Sequence, residues 1–461
     1  MTPRNRTPND LLRLLLKEAR WTNHNFALAV NRVAAEAGAR LHYDRTSVSH
    51  WLSGTRPRPS VAAFAAEALS RRLGRPVSTE DTGLADRTGA ATTPAPGRHT
   101  ALTALHHLLE QDQDPRLRAV LHEQPFRSHW SAVPPWRPRP EGRSPDPDAD
   151  GPPGGELVAA LGTMASTFAA ADEAFGGGHA RTALVTYLAD DVVRWLRSAA
   201  SGPFRGELVS SVAALTHLVG SMSFDDLHHH LAQYYYRVTL LLADEVGDST
   251  GHALVLRGMS TQACFLGHYR QAAQLADAAV DRLPPGASPG TRAVLLGQAT
   301  VAHAALADRR TAFALLGRAE KFLGKAEDEP PATGRTDQAE VEYLAGRALA
   351  FLLDHEPAEA ALRESLEHRP ERERRSRLLT THYLAELQLR RGNPELACTT
   401  WQRFLDECGW VRSGRVRSAL HAFSRQLQPY RGNVVVRHAL RRAERLAGRS
   451  TGAGGLVAQR S

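Results

Sequence analysis

A repeat of small residues in the C-terminal half of the chain restricts its fold more than any other feature. Alanine recurs at five positions with successive spacings of 40, 40, 46 and 39 residues, and the residue twelve positions earlier is small each time. Small side chains at such a spacing let two antiparallel helices approach closely. The alanines are Ala232, Ala272, Ala312, Ala358 and Ala397, and the preceding small residues are Gly220, Ser260, Thr300, Gly346 and Ala385.

Larger residues mostly occupy the positions four and eight residues after each alanine, although the third repeat has Glu320 there. The pattern resembles the tetratricopeptide repeat, in which large residues fill the gap to the next helical hairpin. The spacing exceeds the roughly 34 residues typical of that family, so longer loops are expected. The resemblance implies an all-α chain with an α-solenoid over residues 156–445; a generic Ala-rich helical bundle is the alternative.

Positive charge is concentrated at the N-terminus. Residues 1–78 contain 13 Lys and Arg against 5 Asp and Glu, whereas the whole chain has a formal net charge of +8, so the remaining residues are balanced. Basic character confined to one small domain indicates a polyanion partner. We therefore expect residues 1–84 to form a domain that binds nucleic acid; an Arg-rich domain that is merely soluble is the alternative.

Four helical patterns occupy this domain, and the third, TSVSHWLSG, is short. Asp44 or Thr46 can cap it, Gly54 ends it, and Val48, Trp51 and Leu52 share one apolar face. A short helix after a longer one, in a basic four-helix domain, is the order of a helix-turn-helix.

The opposite face of this helix carries polar side chains suited to reading bases in the major groove, where Arg is the commonest partner of guanine. The free N-terminus of a helix also attracts phosphate. The outward residues are Arg45, Thr46, Ser47, Ser49 and His50.

The segment TRPRP follows the short helix. Its prolines favour an extended backbone from which Arg56 and Arg58 project. Such arginines contact phosphates and orient a domain without reading sequence. A surface helix followed by a solvated Arg-rich loop is the alternative.

The pattern SVSHWLSGTRPRP, followed by a helix ending in LG, resembles the phage-repressor (Cro/C1, XRE) type of helix-turn-helix. The resemblance implies base reading by Arg45, Thr46 and His50, a position near the backbone for Ser47, and phosphate contacts for Arg56 and Arg58. One departure is the connection ARLHY before Asp44, which is longer than the tight turn of that family.

The whole chain resembles Streptomyces-type regulators that join this domain to a tetratricopeptide region. The segments RTPNDLLRLLLKEARWTNHNFALAVN, STEDTGL, ADEAFGGGHARTALVTYLADDV and LVGSMSFDDLHHHLAQYYYRVTLLLADEVGD carry the resemblance. It implies a sequence-specific transcriptional regulator of differentiation or secondary metabolism. Two alternatives remain open: an adaptor whose N-terminal domain binds protein, and a regulator that responds to a peptide pheromone.

The expected partners are double-stranded DNA and a second copy of the chain, because related domains bind paired half-sites. The concave face of a solenoid suits a peptide, protein or small-molecule effector. Helical packing explains the tyrosines among the candidate effector-binding residues nearly as well. Those candidates are Tyr234, Tyr235, Tyr236, Arg257 and Gln262.

Residues 85–155 read as a Pro/Gly-rich linker with one short helix, and residues 446–461 as a disordered tail. No run of about 18 apolar residues is present, and the N-terminus lacks signal-peptide features, so a cytoplasmic, nucleoid-associated protein is expected.

The sequence contains no HExxH, GxSxG, Walker or kinase motif, so we expect neither an enzyme nor a cofactor. The three cysteines form no CxxC pair, and adjacent histidines on a helix diverge by about 100°, so no metal site is expected. The glycines of residues 176–178 lack a phosphate-binding motif and indicate a close-packed corner between helices.

Overall fold

The computed structural model describes residues 7–85, 100–136, 154–198, 204–326 and 334–453. Within these ranges the chain is built of helices and contains no strand, which confirms the all-α prediction. None of the helices in these ranges is both long and apolar enough to cross a bilayer.

The described part of the chain contains 21 α-helices. The first six are α1 (Asp10–Glu18), α2 (Asn23–Glu36), α3 (Arg45–Leu52), α4 (Pro59–Leu73), α5 (Ala101–Gln113) and α6 (Pro115–His122). The next seven are α7 (Gly154–Phe175), α8 (Gly177–Tyr187), α9 (Val193–Ser198), α10 (Arg205–Asp225), α11 (His229–Val246), α12 (Ser249–Phe265) and α13 (Tyr269–Arg282). The last eight are α14 (Pro289–Ala305), α15 (Arg309–Ala326), α16 (Gly334–Phe351), α17 (His355–His368), α18 (Arg374–Arg390), α19 (Pro394–Glu407), α20 (Gly414–Leu427) and α21 (Val434–Ala453).

The chain forms two compact units, each assembled from several stretches. The first unit comprises Met1–Gly154, Val185–Gly220 and Leu227–Ala278, and the second comprises Gly155–Leu184, Ser221–Asp226 and Ala279–Ser461. The first unit thus combines the N-terminal helices with α11 and α12, across the domain boundary predicted at residue 84.

Helices α1 to α4 form the four-helix segment, residues 7–85, around a core of their own. Phe26 and Trp51 meet edge to face with ring centroids 6.1 Å apart, and Val48 and Phe64 are buried beside them. Helix α4 ends at Gly74, whose φ of 64° places it in the left-handed region that glycine adopts without strain. The four helices lie where the apolar patterns predict them, although α4 begins at Pro59 and has no side-chain cap.

The predicted linker differs from the structure over residues 100–136. One short helix was expected there, but α5 and α6 are followed by a 3₁₀-helix at Ser128–Ser131. Phe126 and Trp130 are buried, because packing their apolar surfaces against α11 and its neighbours removes those surfaces from water and so stabilises the fold. Most of the Pro-rich stretch, residues 137–153, lies outside the described residues.

The predicted disordered tail also differs in part, since α21 continues through residues 446–453. Four residues at amphipathic spacing stabilise α21 by packing in the core. They are Val436, Ala439, Leu440 and Ala443. Residues 454–461 lie outside the described part of the chain.

The small residues of the repeat lie where neighbouring helices approach most closely. In the first unit a Cβ on Gly220 would meet Cδ1 of Tyr236 at 2.8 Å, and the Ser260 hydroxyl donates to the Ala272 carbonyl at 2.8 Å. In the second unit a Cβ on Gly346 would meet Cγ of Leu362 at 2.7 Å. These contacts explain why only small residues fit at these positions.

The third repeat departs from the pattern at Glu320, which is exposed on α15. Ala312, Leu316 and Ala319 bury the apolar face of that helix instead. A charged residue is therefore tolerated at this position because the side chain points to solvent.

Candidate nucleic-acid interface

The short helix α3 begins in a reciprocal capping box. The Asp44 carboxylate accepts hydrogen bonds from the Ser47 backbone N–H and from its hydroxyl, both at 2.8 Å. These bonds, with the backbone N–H first, hold the pKa of Asp44 below its ordinary value. The cap defines the first turn of the helix and therefore the directions in which Arg45 and Thr46 project.

The two faces of α3 differ as the apolar spacing predicts. Val48 and Trp51 are buried in the core of the four-helix segment, whereas Arg45, Thr46 and His50 are exposed. This face can therefore enter a groove without rearrangement of the core.

The two serines of α3 are engaged within the protein. Ser47 serves the capping box, and the Ser49 hydroxyl donates to the Arg45 carbonyl at 3.0 Å while accepting from Nδ2 of Asn23 at 3.2 Å. Both were predicted as DNA contacts, but their hydroxyls position α3 against its own first turn and against α2. Of the five predicted contacts on α3, Arg45, Thr46 and His50 remain on its exposed face.

The expectation that the N-terminus of α3 attracts phosphate needs correction. The Asp44 carboxylate accepts from the Ser47 N–H in the first turn and brings a negative charge there. An anion approaching this end meets repulsion, because an acidic cap satisfies the helix dipole. If this surface binds DNA, we expect its phosphate contacts to come from other residues.

The long connection between α2 and α3 is held by two hydrogen bonds to one side chain. Nδ2 of Asn31 donates to the Tyr43 carbonyl at 2.8 Å, and the Tyr43 N–H donates to Oδ1 of Asn31 at 3.0 Å. The Tyr43 ring packs edge-on against Trp51 at 5.0 Å. Sequence reasoning missed Asn31, whose signal is a polar residue on the inner side of an amphipathic helix.

The segment after α3 presents the two predicted phosphate contacts. Gly54 has a φ of 96°, and the Thr55 N–H donates to the His50 carbonyl at 2.9 Å. Arg58 then caps α4 with an extended backbone, and both Arg56 and Arg58 are exposed. Pro59 begins α4, where its fixed φ suits the first helical turn.

Most acidic groups of the four-helix segment are engaged away from α3. Asp10 pairs with Arg13, Glu18 pairs with Arg75, and Arg71 pairs with both Glu36 and Glu67. Four of the five acids of residues 1–78 thus pair with arginines other than Arg45, Arg56 and Arg58, and the fifth is Asp44.

Four of the five candidate effector residues are buried in the first unit, and the fifth, Arg257, is half-buried. The Tyr235 hydroxyl donates to Oδ2 of Asp112 at 2.6 Å, and Tyr234 packs against Trp130. Nε2 of Gln262 donates to the His229 carbonyl at 2.9 Å. The other two candidates, buried Tyr236 and half-buried Arg257, lie near Gly258 and His217. The tyrosine rings of α11 pack in the interior, because α5 and residues 126–130 cover them.

No group of three or more potential metal ligands occurs in the described part of the chain. His228 stacks on His122 with ring centroids 3.6 Å apart, while His229 and His230 are buried. Burial raises the pKa of Cys398 and of Cys408 to about 11, so both thiols are protonated at neutral pH.

The glycines of residues 176–178 form the corner between α7 and α8 in the second unit. Gly176 has a φ of 86°, and a Cβ there would meet the Arg412 carbonyl oxygen at 2.5 Å. The Gly177 N–H donates to Oδ2 of Asp225 at 3.0 Å. The corner thus binds the protein's own carboxylate.

Comparison with known proteins gives one match. Residues 12–85, nearly the whole four-helix segment, match the family described as the SP15 N-terminal domain. None of the curated proteins and none of the solved structures matches the chain.

Proposed function

We propose that the protein is a sequence-specific DNA-binding transcriptional regulator in which α2 and α3 act as a helix-turn-helix of the phage-repressor type. The observation that carries this proposal is the geometry of α3. Its buried face is anchored by Val48 and Trp51, while Arg45, Thr46 and His50 project from the exposed face. A helix presented in this way fits the major groove, with Arg45 pairing with guanine.

Arg56 and Arg58 bind the phosphates beside the groove in this proposal. They lie on an extended segment that starts at the end of α3, so they reach backbone positions flanking the bases that α3 reads. Their contacts release counterions, so affinity falls steeply with salt and depends little on sequence.

The remaining helices form the regulatory part. We assign residues 156–445 to a tetratricopeptide-like solenoid that binds an effector and joins two copies of the chain in a homodimer. A dimer places two α3 helices on half-sites about 34–36 Å apart, one turn of DNA. The resemblance to Streptomyces-type regulators supports a cytoplasmic, nucleoid-associated role in differentiation or secondary metabolism.

The test is genome-wide mapping of DNA bound by the full-length chain, with Arg45→Ala and Arg116→Ala as paired variants. Arg116 is exposed on α6 and loses the same charge, so it controls for nonspecific electrostatics. We expect Arg45→Ala to lose or redistribute the bound sites and Arg116→Ala to retain them. Identical maps for the wild type and Arg45→Ala would exclude Arg45 as a base reader.

A salt titration of duplex binding separates the phosphate contacts from the base contacts. Replacing both Arg56 and Arg58 with alanine should reduce the slope of log K against log salt by about 2, because each phosphate contact contributes about 0.9. Absence of any salt-dependent duplex binding by the wild type would instead favour an adaptor that binds protein.

A further inference from the structure

Trp130 anchors the segment after α6 to α11 in the first unit. Its indole is buried, with Tyr234 edge-on at 5.8 Å and His230 at 5.0 Å between ring centroids. Its carbonyl oxygen accepts a hydrogen bond from Nη1 of Arg237 at 3.0 Å. The position of this ring is therefore set by α11.

Two guanidinium groups approach this one indole. Cζ of Arg127 lies 4.9 Å from the ring centroid and Cζ of Arg237 lies 5.7 Å from it. The Arg127 backbone is held by Gln233, which accepts from its N–H at 2.8 Å and donates to its carbonyl at 3.1 Å. Both cations are thus placed by the fold.

In the described part of the chain, the two guanidinium groups of this cluster have no paired carboxylate. Neither Arg127 nor Arg237 forms an ion pair with any residue that the structure describes. Desolvation lowers the pKa of each guanidinium. Desolvation, followed by the charges of Arg127 and Arg237, also lowers the pKa of His129, against a weaker opposing effect of Glu80. Three cationic or protonatable groups therefore surround one aromatic ring.

Hydrogen-bond donors remain unused in this cluster. Nη2 of Arg127 donates to Oε1 of Gln124 at 2.6 Å, and Nη1 of Arg237 is bound to Trp130. Nε of Arg237 is buried without a hydrogen-bond partner among the described residues. Cation–π attraction to one shared indole offsets only part of the cost of two desolvated like charges.

We propose that Arg127, His129 and Arg237 bind the oxyanion of a small ligand, a phosphate or carboxylate group, beside Trp130. An oxyanion supplies the missing charge and accepts the unused N–H groups, which guanidinium forks bind in a bidentate manner. This proposal does not depend on DNA binding.

Two successive contacts connect the proposed site to the four-helix segment. Phe126, next to Arg127, stacks on His268 with ring centroids 4.9 Å apart, and His268 contacts Glu67 of α4. A ligand that moves Arg127 therefore acts on a residue packed against the helices that position α3.

The test is titration calorimetry of the full-length chain with inorganic phosphate and, separately, with succinate. We expect one anion per chain to bind, and Arg127→Gln or Arg237→Gln to weaken binding by about tenfold or more. Arg116→Gln on α6 removes the same charge away from the cluster and should leave affinity unchanged. The stronger of the two probes identifies the ligand as a phosphate or a carboxylate compound.

Absence of binding to the wild type by either probe, or an equal loss in Arg116→Gln, would overturn the proposal. His129→Gln serves if the arginine variants fail to fold, because His129 is exposed. Sulfate, whose charge is constant, should bind the wild type more tightly as pH falls through the lowered pKa of His129, and His129→Gln should lose that dependence. A dependence retained in His129→Gln would equally contradict the site.

Discussion

Nε2 of His268 lies 2.8 Å from Oε1 of Glu67, although the two residues are 201 positions apart and both are buried. Glu67 belongs to α4, and His268 precedes α13 in the same compact unit. The same Glu67 oxygen accepts from Nε of Arg71 at 2.7 Å, and Arg71 also pairs with Glu36. One carboxylate therefore links the four-helix segment to the repeat helices.

We expect Glu67→Ala to destabilise the protein by about 1.5–3 kcal/mol, because it removes a charged hydrogen-bond partner of the half-buried Arg71, which keeps only its pair with Glu36. The pKa of Arg71 is above its ordinary value despite desolvation, which acts to lower it, because Glu67 and Glu36 favour the charged form. His268→Ala should reduce the stability by less, because the ion pair between Glu67 and Arg71 remains. Chemical denaturation of the full chain gives both values, and equal losses would show that the Arg71 pair contributes little.

Substitutions of Asp44 separate the effect of its helix cap from the effect of its negative charge. We expect Asp44→Asn to keep α3 capped, because Asn is also a good N-cap, while increasing affinity for DNA of any sequence by removing a negative charge. Asp44→Ala should lower the stability of the protein, because the cap is lost. The pKa of Asp44 is lower in the folded state than in the unfolded state, so the ionised cap contributes to stability above the unfolded-state pKa. This contribution is lost as pH falls through the folded-state pKa. Duplex binding and denaturation measure these effects, and unchanged affinity in Asp44→Asn would place DNA away from α3.

A buried charge cluster in the second unit predicts a pH-dependent stability. Nη2 of Arg375 lies 3.0 Å from Oδ2 of Asp172 and also contacts Glu173, while Nη1 lies 3.5 Å from Asp225. Burial raises the pKa of Asp172 to about 7, with Asp225 and Glu173 adding to the effect against Arg375 and Arg415.

Because this pKa is higher in the folded state than in the unfolded state, folded Asp172 holds a proton that the unfolded chain has released. Its contribution to stability therefore falls as pH rises from about 4 to 7. We expect Asp172→Asn to be more stable relative to wild type at pH 8 than at pH 5, by about 2–4 kcal/mol. Denaturation at the two pH values tests this, and a constant difference would contradict it.

The close approach at Gly346 predicts a cost for a single methyl group. A Cβ there would meet Cγ of Leu362 at 2.7 Å and the Ala358 carbonyl oxygen at 3.1 Å, so Gly346→Ala should destabilise by about 1–3 kcal/mol. Gly317→Ala in α15 meets open space and should stabilise by about 0.5–1 kcal/mol through helix propensity. Thermal denaturation compares the pair, and equal changes in both would remove helix packing as the reason for the small residue.

Local features were predictable because they depend on neighbours in the chain. A cap at Asp44 or Thr46, of which the structure uses Asp44, the stop at Gly54 and the amphipathic division between Val48 and Arg45 follow from interactions within one or two helical turns. The packed helices of residues 100–136 were not predicted, because the composition of this segment is that of a linker. Phe126 and Trp130 are buried there by helices more than a hundred residues away in the chain.

The amino-acid sequence by itself determined the helical class, the approximate positions of α1 to α4, the division of α3 into a buried and an exposed face, and the small residues at helix crossings. Only the tertiary structure decided that Tyr235 is buried against Asp112, that His268 contacts Glu67, and that Arg127 and Arg237 share Trp130. The reason is that helix periodicity and capping are short-range effects, whereas partners far apart in the chain meet only through the packing of whole helices.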